Sequence, residues 1–144
     1  MRPGNRWIRI AAAVLAILLL SCCGKPSPDW IDKEEVLRDT RIIVEQLSDG
    51  DNEALTSLFS PFMEERSDEA GLTDDIEKKL NELGEYDSVL EGTITLRNGS
   101  DSGYFVVAVL NCQYQNGTAA YAVTYDETGR ICDFCMDTVL GEDL

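Results

Sequence analysis

Between residues 29 and 47 apolar side chains recur at Trp30, Val36, Leu37, Ile43, Val44 and Leu47, a spacing of three and four that predicts one long amphipathic helix. Ser27 before Pro28 offers a cap and a first-turn proline ahead of it, and Gly50 offers its stop. A second helix is predicted from about residue 51, with Leu55, Leu58, Phe59 and Phe62 on one face and Pro61 as an interruption or a new start. After a loop over residues 67–72, Thr73 caps a third helix. Its stripe is Ile76, Leu80 and Leu83, its first turn holds Asp74 and Asp75 where the helix dipole favours acids, and Gly84 closes it.

From residue 88 the period drops to two, which predicts strands at about 89–97, 104–115, 118–126 and 130–138. Asn116-Gly117 is the preferred dipeptide of a type I′ hairpin. A two-residue loop there sets Tyr114 opposite Ala119, Cys112 opposite Tyr121, Leu110 opposite Val123 and Ala108 opposite Tyr125, all on one apolar face. The other face of that strand, Phe105, Val107, Val109, Asn111, Gln113 and Gln115, runs from apolar to polar, so one end is expected covered and the other wet. Three helices followed by an antiparallel meander define an α+β class, with the N-terminal helices packed on a curved antiparallel sheet.

The segment ahead of this domain has a different pattern. Residues 1–9 carry Arg2, Arg6 and Arg9 and no acid, residues 10–20 are uninterruptedly apolar, and Leu19-Leu20-Ser21-Cys22 follows. This is the order of a secretory signal peptide. A spanning helix needs roughly 20 apolar residues, and the run is about half that. Leu19, Ser21 and Cys22 resemble the bacterial lipobox, with Leu20 acceptable between them and Cys23 a poorer alternative acceptor. The resemblance implies removal of residues 1–21, lipid on Cys22, a short tether over residues 22–28, and one domain over 29–144 held by its lipid on the extracytoplasmic face of the cell membrane. Two acyl chains suffice for such anchoring, since each buried methylene contributes about 0.8 kcal/mol.

Charge then narrows the partners. The 144-residue chain has 12 basic and 27 acidic residues, a net charge of −15, which becomes −18 once three arginines leave with the leader. Nucleic acid is not an expected partner, because phosphate binding needs clustered Lys and Arg. Histidine is absent, which removes the commonest general base and transition-metal ligand.

The stretches IIVEQLSDGDNEALTSLFS at 42–60, DDIEKKLNEL at 74–83 and DETGRICDF at 126–134 resemble the NTF2-like (cystatin-like) cone of small lipoproteins from Gram-positive gut bacteria, whose domains are of unknown function. The resemblance implies a concave sheet face able to hold a ligand and assigns no activity.

Candidate chemistry is sparse. Tyr104, Tyr114, Tyr121 and Tyr125, with Phe134 and Trp30, are candidate ligand-facing residues if they line the cone, against the commoner role of aromatic strand residues as core. Cys132-Asp133-Phe134-Cys135 is a C-x-x-C inside a predicted strand. A structural disulfide between Cys132 and Cys135 and free packed thiols both stay open, while a redox role lacks the helix N-terminus that activates such motifs. Cys112 lies about 10 Å from Cys132 across an intervening strand, too far to bridge. Asp49-Gly50-Asp51-Asn52-Glu53 resembles the start of a calcium loop but lacks its glycine and final glutamate, and is read as an interhelical turn capped by Asp51. Asn98 and Asn116, in glycosylation-like triplets, are read as turns. Asp126 or Asp133 beside a tyrosine would be the acid/base pair of an enzyme, but no spacing selects them.

The sequence therefore favours a membrane-anchored, non-enzymatic domain binding a small ligand, an envelope protein or a second copy of itself, with no cofactor, no metal and no catalytic residue assigned. An extracytoplasmic enzyme using carboxylate and tyrosine is the alternative.

Overall fold

A computed structural model of the chain describes residues 31–101 and 103–141. The leader, Cys22, Cys23, the tether, the Ser27-Pro28 cap and Trp30 lie outside the described residues. Four helices, α1 (Lys33–Ser48), α2 (Glu53–Thr56), α3 (Pro61–Ala70) and α4 (Leu72–Leu83), precede four strands, β1 (Tyr86–Asn98), β2 (Tyr104–Tyr114), β3 (Gly117–Tyr125) and β4 (Ile131–Leu140). The strands form one antiparallel sheet in the order β1-β2-β3-β4. The chain is α+β, its helices packed on one face of a curved open sheet. No helix among the described residues is long and apolar enough to cross a membrane.

Helix α1 starts at Lys33, four residues later than the apolar spacing predicts, with Glu34 and Glu35 in the first turn. It ends as expected at Gly50, whose φ of 91° lets its N–H bond to the Leu47 carbonyl while the Asp51 N–H bonds to Gln46. The N-cap of α2 is Asn52 rather than the expected Asp51, and Asn52 makes no side-chain capping bond; Asp51, one residue earlier, accepts from the Ala54 N–H at 3.3 Å.

The predicted second helix is divided in two. Pro61 disfavours a helical residue before it, and Ser60 is extended, at φ −65° and ψ 156°. The chain there runs beside the start of β4, where the Ser60 N–H bonds to the Ile131 carbonyl at 2.8 Å and the Ile131 N–H to Leu58 at 2.7 Å. Ser60 Oγ then accepts from the Met63 N–H and caps α3. Leu58 and Phe62 consequently do not share the buried face with Leu55 and Phe59; both are exposed, Phe62 at 66%. The loop expected at residues 67–72 shrinks to Gly71, in the left-handed region at φ 63°, which ends α3 and starts α4, so Thr73 lies within α4 rather than capping it.

The β2–β3 hairpin is offset from its predicted register. Its two-residue loop is Gln115-Asn116, with Tyr114 opposite Gly117, Cys112 opposite Ala119, Leu110 opposite Tyr121 and Ala108 opposite Val123. A slide of two residues leaves every side chain on its predicted face. The cause is nonlocal. Gly117 is a strand residue beside β4, and a Cβ there would overlap the Val139 carbonyl and come within 2.9 Å of the Leu140 Cα.

The core lies between the four helices and the inner face of the sheet, around Val44, Leu47, Leu55, Met63, Ile76, Leu83, Tyr121, Val123 and Ile131. Each such side chain contributes about 1.5–3 kcal/mol when fully buried, so this packing, rather than any polar contact, dominates stability.

Gly117→Ala should destabilise the fold by about 2–3 kcal/mol through overpacking against β4. Gly129→Ala should cost only about 1 kcal/mol of backbone strain, because φ there is 79° but no atom lies within 4 Å of the added methyl. Urea midpoints in that order would support the hairpin packing; an unchanged midpoint for Gly117→Ala would contradict it.

Candidate functional site

The inner face was the expected ligand surface, and the structure fills it. Tyr114 and Tyr121 are 1% and 0% exposed and belong to the core. Their hydroxyls are 2.6 Å apart, and Tyr114 lies 2.7 Å from Ser48 Oγ on α1. Ser48 gives its single hydrogen to the Val44 carbonyl at 2.8 Å, which fixes the direction of the chain. Tyr121 donates to Tyr114, Tyr114 to Ser48, and Ser48 to the backbone. Eight residues earlier on α1, Thr40 repeats the device. It donates to the Val36 carbonyl at 2.7 Å and so accepts from Tyr125, at 2.8 Å. Among the described residues every buried side-chain nitrogen and oxygen is bonded.

These tyrosines are therefore corrected from ligand-facing residues to struts between the sheet and α1. Tyr104, half-buried at the start of β2, is held through its backbone, whose N–H bonds to Glu127 Oε1 at 3.0 Å. Phe134 packs on Tyr121 with ring centroids 6.2 Å apart. Burial raises the hydroxyl pKa of Tyr114, Tyr121 and Tyr125, and it pushes the thiol of Cys112, which is fully enclosed, up to about 11.

The other candidates also have structural partners. Asp126 Oδ1 accepts from the N–H of Thr128 and Arg130 and from the Thr128 hydroxyl, which holds the β3–β4 turn. Asp133 pairs with Arg66 of α3 at 2.9 Å. Neither carboxylate faces a tyrosine hydroxyl. Cys132 and Cys135 are free thiols. Tyr125 pairs with Ile131 and Thr124 with Asp133, so Cys132 is the extra residue of a bulge, while Cys135 is exposed on the outer face. The Cys132 pKa is raised by burial and then by the charges of Asp126 and Asp133, the opposite of an activated thiolate. Among the described residues no three His, Cys, Asp or Glu gather as a metal site.

What remains open is the outside. One recess of about 410 Å³ lies where the ends of α1 and α4 meet the β2–β3 turn, lined by Ser48, Asn52, Glu77, Asn81, Glu85 and Gln115 around Leu47 and Leu80. A second, of about 470 Å³, lies on the outer sheet face among Leu90, Glu91, Asn111, Ala120, Asp137 and Val139. None of the four candidate tyrosines lines either recess.

The outer face is ordered by register. Thr93, Val109, Ala122 and Cys135 form one row across the four strands, and Glu91, Asn111, Ala120 and Asp137 the next. Along β3 the outward residues are Thr118, Ala120, Ala122 and Thr124, all small, so a shallow trough follows that strand between taller neighbours on β2 and β4. No outward residue joins the core. The covered end expected for Phe105, Val107 and Val109 is not found among the described residues; these side chains are half-buried by their own sheet neighbours.

No family model matches the chain, and no curated protein matches it. Among solved structures it is similar to an NMR structure of a protein from Ruminococcus gnavus ATCC 29149, at 23% identity over 78% of this chain and 96% of that one, with a TM-score of 0.64. The likeness extends to the fold alone.

Two outcomes test the hydroxyl chain. Tyr114→Phe removes the central link and orphans the Tyr121 donor, which should cost about 1–3 kcal/mol, whereas Tyr121→Phe leaves Tyr114 bonded to Ser48 and should cost about 1 kcal/mol. Equal urea midpoints would contradict the assigned direction. Alkali should also unfold the protein. A raised acid pKa means that folding favours the neutral form, a contribution complete below the unfolded pKa, 9.0 for a thiol and 10.0 for a phenol, and lost above it. The midpoint should hold from pH 7 to about 8.5 and then fall, less steeply in Tyr121→Phe.

Proposed function

We propose that the chain is a membrane-anchored extracytoplasmic lipoprotein, lipidated on Cys22, whose NTF2-like domain binds a partner and performs no chemistry. One observation carries this reading: the inner sheet face, where an NTF2-like enzyme would need a chamber, is filled by the helices, and the hydroxyls of Tyr114, Tyr121 and Tyr125 are spent on one another and on Ser48 and Thr40. A filled interior leaves recognition to the outer surface, and the open sheet face is a regular surface there with a recess of about 470 Å³. The leader pattern supports the anchor, and the acidic balance of −18 left after its removal means that lipid rather than charge would hold the domain at an anionic membrane.

A photo-crosslinking residue at Val109, in cells fed labelled palmitate, tests both halves together. The expected result is a palmitate-labelled chain with a discrete crosslinked partner, and loss of both label and adduct in Cys22→Ala. Label persisting in the variant would overturn the anchor. A chain without any adduct at Val109 would overturn the binding domain.

A further inference from the structure

We infer that the trough on the outer sheet face is a docking groove for a basic amphipathic helix of a partner protein. This rests on the reading of the chain as a binding domain and names the chemistry of what it binds.

Width comes first. Strands lie about 4.8 Å apart, so the walls on β2 and β4 stand about 10 Å from each other with the small β3 residues as floor between them. An α-helix, about 10–12 Å across with its side chains, is too wide to sink between the walls but can lie along β3 with one stripe of its side chains on the floor. Ala120 and Ala122 let a helix approach closely, as a floor of larger side chains would not. An extended peptide would leave the floor unfilled.

Polarity comes second. The floor and inner walls, Ala120, Ala122, Val109 and Val139, meet the apolar stripe of such a helix. Leu90 and Val139 are exposed at 58% and 42%, large apolar side chains at one end of the face without a covering neighbour among the described residues.

Charge comes third and decides the sign. Asp137 stands on the β4 wall, and Glu91 on β1 stands in the same row one strand beyond the β2 wall residue Asn111, about 14 Å from Asp137 by strand spacing. Among the described residues no Lys or Arg lines the recess at this end of the groove; the cations of the outer face, Arg97 on β1 and Arg66 paired with Asp133, stand at the other end. A helix seated in the trough sends its flanking residues towards both rims, and lysines or arginines there meet a carboxylate on each side. A second copy of this chain would bring its own Glu91 and Asp137 and a net charge of −15 to the same rims. An anionic lipid surface is opposed for the same reason.

The test uses the full-length chain, isotopically labelled in phosphatidylcholine nanodiscs and read by its amide resonances. The titrant is an 18-residue peptide with leucines at helical spacing and lysines elsewhere, against its glutamate counterpart. The lysine peptide should shift the amides of residues 107–111, 118–124 and 135–139. Glu91→Gln with Asp137→Asn should weaken binding about fivefold, and Ala120→Arg should abolish it while circular dichroism stays unchanged. Shifts centred on α3 and α4, equal binding of the glutamate peptide, or indifference to the paired substitution would overturn the assignment. So would the same shifts from vesicles containing phosphatidylglycerol or from self-association. An adduct at Val109 in cells without peptide binding would defeat this inference alone and leave the binding-domain reading standing.

Discussion

The rest of the structure depends on how α1 is held against the sheet. Apolar contact among Val44, Leu47 and the inner faces of β2 and β3 supplies most of the free energy, but such contact is non-directional. Two hydroxyl struts add direction: Tyr125 to Thr40 near the middle of the helix, and Tyr121 through Tyr114 to Ser48 at its end. Each strut ends on a carbonyl of α1's own backbone, four residues back. The struts can form only at one rotation and one height of the helix, because both tyrosine donors lie in low-dielectric surroundings where an unmade bond is costly.

This constraint sets what the domain can do. A helix pinned along the concavity turns it into core, and the enclosed Cys112 and tyrosines become neutral packing groups rather than reagents. The cysteines of β4 follow the same logic, since the bulge at Cys132 serves the strand's turn away from Asp126 and leaves the two thiols in different surroundings.

Much of this was legible in the sequence where the determinants are local. The face of α1, the stripe of α4, the Gly50 and Gly84 stops and all four strands follow from spacing and turn residues. What escaped the sequence depends on contacts between distant segments. The hairpin loop moved because Gly117 is needed beside Val139 and Leu140; the break at Pro61 was legible as an interruption or new start, but the pairing of Ser60 with Ile131 that accompanies it was not. The tyrosines fell on their predicted face, but a period of two does not say whether another layer covers that face. Thr40 and Ser48 passed as ordinary polar helix residues, although their eight-residue separation on the buried side of α1 was a readable signal. The trough was readable too, as the run of small residues at alternate positions of β3.

An open sheet face with an apolar middle carries a risk, since it can stack on another such face and its edge strands can pair with other chains. The chain answers with acids at the rims and bulges at the edges: Glu91 and Asp137 flank the middle rows, and the β1 register shifts at Asp87 and Leu90. Those same carboxylates cannot repel copies of the chain without also selecting for positive charge in whatever does settle there. On the docking reading, keeping the face free of self and choosing a partner would be one electrostatic property. The hydroxyl struts close the interior, so among the described residues the outer sheet face is a regular surface that stays exposed.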